Sequence, residues 1–145
     1  MKVTRNFDLS KIKLDLHREL NQGIDIVGKN IEEGIDNGQQ FQQVFAPNKP
    51  ATIKRKGSTK PLIDTGLMKD ESRMQKTKAT TAKQEATLLP NPKRVSISFW
   101  NDDGTPTIPA REHWGISIRA DDKIDKMIDK KIGKQIDRSR RARIA

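Results

Sequence analysis

The side chains able to do acid–base or nucleophilic work are few and scattered. His17 and His113 are the only imidazoles, and the chain has no cysteine. Disulfides, thiolate nucleophiles and cysteine metal sites are therefore excluded. His113 stands between Glu112 and Trp114. That arrangement suits a base oriented by a carboxylate, but it equally suits a packing or surface histidine. Asp102 and Asp103 are adjacent and lead into Gly104. Neighbouring residues in a turn face different directions, so this pair reads as turn chemistry rather than a metal site. The sequence contains no phosphate-binding glycine loop, dinucleotide fingerprint, nucleophile elbow or His-Glu metal motif. General acid–base chemistry needs positioned partners, and none is visible. The expectation is a protein without catalysis, metal or cofactor.

Charge is the stronger signal. Over 145 residues, 29 lysines and arginines face 19 acids, for a net charge of +10. Such a balance favours nucleic acid, anionic lipid or acidic protein as a partner, without choosing among them. The densest run is Lys54-Arg55-Lys56-Gly57-Ser58-Thr59-Lys60. It suits an arm that reaches a neighbouring subunit or holds phosphates, and also a plain solvated loop. No aromatic residue is interleaved for base stacking, so any nucleic-acid contact is expected on duplex backbone and to be strongly salt-dependent.

The apolar fraction is 32% and the aromatic fraction 4%, which leaves a thin core for a chain of single-domain length. No apolar run approaches the ~18 residues a membrane span requires, and Met1–Arg5 leads into no apolar stretch of a secretory signal. Residues 1–16 are ambiguous, with Ile12, Leu14 and Leu16 alternating as in a strand. Leu20, Ile24, Val27, Ile31 and Ile35 then form one stripe of an amphipathic helix near residues 17–37. Asn37-Gly38 ends it, and Gly23, Gly28 and Gly34 allow close approach of a packed element. Pro47 and Pro50 exclude a helix interior, so residues 46–61 are expected to form a projecting basic loop. Pro61–Met68 supplies the anchors Leu62, Ile63, Leu67 and Met68. A weak strand is expected near 72–76 and an outward loop over 77–92. Lys93–Trp100 alternates as a strand, and Trp114–Ile118 as another or as the approach to the last helix. That helix is expected near 121–138, with Asp121 as N-cap and Ile124, Ile128, Ile132 and Ile136 as its stripe. A basic tail over 139–145 follows. Trp100 and Trp114 are each either core residues or interface anchors.

Two segments carry a resemblance. Thr52-Ile53-Lys54-Arg55-Lys56-Gly57-Ser58 is followed by Lys60-Pro61-Leu62-Ile63-Asp64-Thr65-Gly66-Leu67-Met68, and Ile108-Pro109-Ala110-Arg111 precedes a terminal helix. In this order they resemble the virion-morphogenesis proteins of tailed bacteriophages, which include the tail-completion and head–tail joining (neck) proteins. Where that family often continues Pro-Phe after the arginine, this chain has Glu112-His113-Trp114. The resemblance implies a non-enzymatic α+β protein located in the virion after assembly in the host cytoplasm. It implies a homo-oligomeric ring, commonly a hexamer, that joins portal or connector proteins to the tail tube or tail terminator. Double-stranded DNA would pass through its lumen, touched non-specifically, and no membrane would be involved.

The combined expectation is a single α+β domain over 1–145: a small antiparallel sheet flanked by an N-terminal and a C-terminal amphipathic helix, with long extended loops. Contacts with a neighbouring subunit or connector are expected at Lys54, Arg55, Lys56, Lys60, Leu62, Ile63, Leu67, Met68, Arg111 and Trp114. The competing expectation is a small basic protein that binds duplex backbone. A toxin-like nuclease would need clustered carboxylates or histidines, which the sequence does not display.

Overall fold

The computed structural model describes residues 13–142. The fold is α+β, with four helices and two small antiparallel sheets of two strands each. Helix α1 spans His17–Asn37 and ends where Gly38 takes a left-handed backbone, with φ 70°. Ile24, Val27, Ile31 and Ile35 are buried along one face, as the spacing predicts. A tight hairpin follows, pairing β1 (Gln39–Gln40) with β2 (Gln43–Val44). Its turn residues Phe41 and Gln42 both have positive φ, as a two-residue hairpin turn requires.

Around the C-terminal half of α1 the core gathers Phe45, Leu62, Met68 and Met74, with Ile63, Leu88, Trp114 and Ile124 packed against it. Leu62 holds φ 61°, a strained value for a branched residue, while its side chain is buried in this core. The Pro61–Met68 segment is thus a true anchor, since both Leu62 and Met68 are core residues.

Several expected elements take a different form. Residues 46–61 are not an extended loop: Pro50–Lys56 is helix α2, with Pro50 in its first turn and Gly57 closing it at φ 69°. Proline is barred from a helix interior but favoured at its first position, where no intrahelical N–H is needed. Lys54, Arg55 and Lys56 fill the last turn, where cations oppose the negative end of the helix dipole. Lys93–Trp100 is not a strand either: Val95–Asp103 is helix α3. Its period-two apolar pattern leaves Ile97, Phe99 and Trp100 exposed, and the fully buried side chain is Ser98. Trp114–Ile118 forms no strand. The last helix, α4, runs Ile118–Ala142, so Asp121 lies inside it, and the Ser117 hydroxyl accepts the Ala120 amide at its start. Residues 139–142 continue this helix rather than forming a tail. The tail's remainder at 143–145, and Ile12 with the rest of 1–12, lie outside the described residues.

The strand expected near 72–76 is a single 3-10 turn at Glu71–Arg73 followed by β3 (Gln75–Thr77). β3 pairs antiparallel with β4 (Thr87–Leu89), so the expected 77–92 loop is partly a hairpin. Asn21 tethers it to α1, donating to the Ala79 carbonyl and accepting the Ala79 amide. Lys76 joins Asp25 of α1 to Glu71. Burial alone would lower the Lys76 pKa, but the hydrogen bonds it donates to Asp25 and Glu71, with their negative charges, more than reverse this and raise it.

Of the three glycines of α1, Gly28 and Gly34 are sites of close approach, while Gly23 leaves room for ordinary contact. A Cβ on Gly23 would meet Ile124 of α4 at 3.6 Å, and one on Gly28 would meet Glu71 Cγ at 2.7 Å. On Gly34 it would lie 2.8 Å from Gln40 Cδ and 3.1 Å from the Gln39 carbonyl oxygen, which is backbone and cannot swing aside. Gly133 of α4, in contrast, has nothing within 4 Å of such an atom. The two sites therefore predict opposite signs for one substitution. Gly34→Ala should lower urea-unfolding stability by about 1–2 kcal/mol, because overpacking outweighs the gain in helix propensity. Gly133→Ala should raise it by up to about 1 kcal/mol. Equal signs would show that the hairpin does not abut α1 as described.

Candidate functional site

Between α2, the 61–68 segment, α3 and the strap 104–111 lies a groove of about 440 Å³. Lys49, Arg55 and Lys56 line it from α2 and its approach, Arg94 from the start of α3, and Arg111 from the strap. Asp64 is the only carboxylate lining it among the described residues, and Leu62, Leu67, Met68, Ile97 and Ile108 are among its apolar walls.

Arg111 is the hub of this site. It is only 7% exposed. Its Nε donates to the Ala46 carbonyl at 2.8 Å, and Nη2 donates to the Pro47 carbonyl at 3.2 Å and to Asn48 Oδ1 at 3.3 Å. Its own amide donates to the Asn101 carbonyl at 2.7 Å. All of these acceptors are neutral. Burial lowers the guanidinium pKa, yet a guanidinium stays charged in proteins. The groove therefore holds a buried cation whose partners supply dipoles but no counter-charge. Lys56 is lowered as well, first by burial and further by Arg111 and Arg55, with Asp64 partly opposing.

Behind the strap, Asp102 and His113 form a second polar knot. Asp102 Oδ1 accepts the amides of His113 at 2.7 Å and Trp114 at 2.9 Å, at the end of α3. His113 Nδ1 lies 2.9 Å from the Arg111 carbonyl oxygen, which can only accept, so Nδ1 carries the proton. Nε2 then accepts from the Ser98 hydroxyl at 3.0 Å. Serine, histidine and aspartate together can form a nucleophilic triad. Here Ser98 is 0% and His113 1% exposed, and neither lines the groove. The cluster fastens the strap to α3, and the carboxylate beside His113 proves to be Asp102, not Glu112.

Of the residues expected at an interface, Arg55, Lys56, Leu62, Leu67, Met68 and Arg111 come together in this groove. Lys54 and Lys60 are exposed outside it, while Ile63 and Trp114 pack on the core. Sequence reasoning missed Lys49, Arg94 and Asp64. No local signal marks Arg94, because its role depends on α3 being a helix. Trp100 is 57% exposed, so it is not a core residue of the single chain. Among the described residues, no group of three or more acids or histidines could hold a metal ion, and no helix is long and apolar enough to cross a membrane.

No protein-family model, curated protein or solved structure matches this chain.

Two expected outcomes test this geometry. Arg111→Lys cannot span the acceptors at residues 46–48 and should cost about 1–3 kcal/mol in denaturant unfolding. For His113, burial holds the imidazole below its ordinary value of 6.5, with the Arg111 carbonyl and Asp102 only partly offsetting this. As pH falls below that value the unfolded chain takes up a proton that the fold resists. Stability is therefore full above pH 6.5 and falls toward the lowered pKa, at up to about 1.4 kcal/mol per pH unit. Unfolding between pH 7 and pH 5 should show this slope, and His113→Gln should show it reduced by one proton's share.

Proposed function

We propose that this protein is a structural virion component of a tailed bacteriophage: a neck, tail-completion or tail-terminator-like subunit that forms a ring joining the capsid connector to the tail. The observation that carries the reading is the convergence of the two resembling segments. Thr52–Met68 and Ile108–Arg111 lie about forty residues apart in sequence, yet both line one groove. Arg111, which ends the second segment, is hydrogen-bonded to residues 46–48, which lead into the first. Segments related in this way form one structural unit, as a shared assembly fold would need.

Exposed apolar surface on a thin core supports the reading further. Ile97, Phe99 and Trp100 on α3, with Ile116 and Ile118 at the start of α4, are open to solvent. A ring subunit needs two different complementary patches, and exposed aromatic side chains suit the centre of such contacts. In this role the protein resides at the head–tail junction after assembly in the host cytoplasm. Its partners are copies of itself, the connector and the tail-tube or terminator proteins, with incidental contact to duplex DNA in the lumen.

A second reading, non-specific binding to duplex backbone, draws on the net charge of +10. Light scattering and negative-stain images of the purified protein separate the two. Closed rings that dissociate in the Trp100→Ser variant, with thermal stability within about 0.5 kcal/mol of the parent, support the neck role. A monomer at every concentration tested, binding duplex with a steep salt dependence, replaces it with the second reading.

A further inference from the structure

We infer that the groove beneath α2 is a receptor for an extended acidic peptide segment of a different protein, one that alternates carboxylate and apolar side chains. This rests on the groove itself and stands whether or not the head–tail reading does.

The first ground is uncompensated charge. Arg55, Lys56 and Arg94 line the groove, and none of them ion-pairs with a carboxylate among the described residues, although six lysine or arginine pairs form elsewhere among those residues. Arg111, more than nine-tenths buried at the same site, is held only by neutral oxygens. Cations brought together against mutual repulsion, with burial and the neighbouring Arg111 and Arg55 making the Lys56 ammonium readier to lose its proton, favour an arriving anion.

The second ground is the rest of the lining. Leu67, Ile97 and Ile108 offer apolar contacts that a phosphate backbone cannot use and alternate side chains of an extended peptide can. The Asp64 carboxylate in the lining can accept a peptide N–H, a donor that a phosphodiester does not offer. The site is also a recess between elements, whereas a duplex presents its phosphates on a broad convex surface.

The third ground identifies the source. A second copy of this chain is a poor donor. Every copy carries +10, so the approach of one copy to the cationic groove of another is opposed by like net charge. Charge complementarity therefore favours an acidic strand from another polypeptide.

The test uses the full-length protein and fluorescein-labelled eight-residue peptides in polarisation titrations. One peptide alternates glutamate and leucine; a second replaces each glutamate by glutamine; a third alternates glutamate and serine. A labelled duplex of mixed sequence is the fourth probe. The Glu-Leu peptide should bind about tenfold or more tightly than either other peptide. Arg55→Glu/Arg94→Glu should abolish that preference while circular dichroism and thermal unfolding stay at parental values. Lys54→Glu/Lys60→Glu, which reverses exposed charges outside the groove, should leave it intact. The inference is overturned if the glutamine peptide binds equally well, if the outer variant loses as much as the groove variant, or if duplex displaces the Glu-Leu peptide at equal site concentration. Ring formation in the same preparations is read separately by light scattering, so failure here and failure of the neck role cannot be confused.

Discussion

The half of the molecule that bears the groove depends on one buried guanidinium. Arg111 reaches from the 104–111 strap to the carbonyls of Ala46 and Pro47 and the amide oxygen of Asn48. Its planar fork has donors in fixed directions, so several acceptors from one chain segment can be met at once. No apolar contact could substitute, because the partners are carbonyl and amide oxygens that accept hydrogen bonds. The arrangement sets the position of the chain just ahead of α2, and with it the rim of the groove. It also leaves a positive charge inside the structure, which is why the site has an electrostatic character beyond that of a surface lysine cluster.

Two different kinds of cohesion thus meet in a small chain. Around α1 the packing is apolar: Val27, Ile31 and Ile35 meet Phe45, Leu62, Met68 and Met74. Around α3 it is polar, built on Ser98, Asp102, His113 and Arg111. The sequence has few large apolar residues to spend, and the polar knot holds the strap where a second apolar layer would otherwise be needed. Leu62 connects the two regions, since it is a core residue and a groove wall at once. That α3 turns its serine inward and its aromatics outward follows from the same economy.

Legibility in the sequence follows this division. Helix α1 was legible at both ends, and the stripe of α4 was legible along its length, because apolar burial imposes a 3.6-residue period. The anchoring of Leu62 and Met68 was legible because apolar residues flank the turn residues Asp64-Thr65-Gly66. Helix α3 was not, because its inward residue is polar: Val95, Ile97 and Phe99 alternate as a strand would, and only the His113 contact explains why Ser98 is buried. The signals for α2 were present, with Pro50 at its start and Gly57 at its end, but two prolines read more readily as breakers than as a start. At the site, Arg55, Lys56 and Arg111 could be singled out by charge and motif. Arg94 and Asp64 could not, because only the folded chain brings them into the groove.

The start of α1 is gripped in an unusual way. Gln84 of the hairpin accepts the Leu16 amide and donates to the Leu14 carbonyl, and Gln135 of α4 accepts the Asp15 amide and donates to the Asp15 carbonyl. Two primary amides thereby imitate a neighbouring strand for residues 14–16. The Gln135 partner lies 120 positions downstream, so during translation the Asp15 backbone waits for its partner long after Gln84 is in place for Leu14 and Leu16. Closure of this grip therefore waits on α4, and a nascent polypeptide halted before α4 emerges presents an unfinished start of α1 to chaperones and proteases.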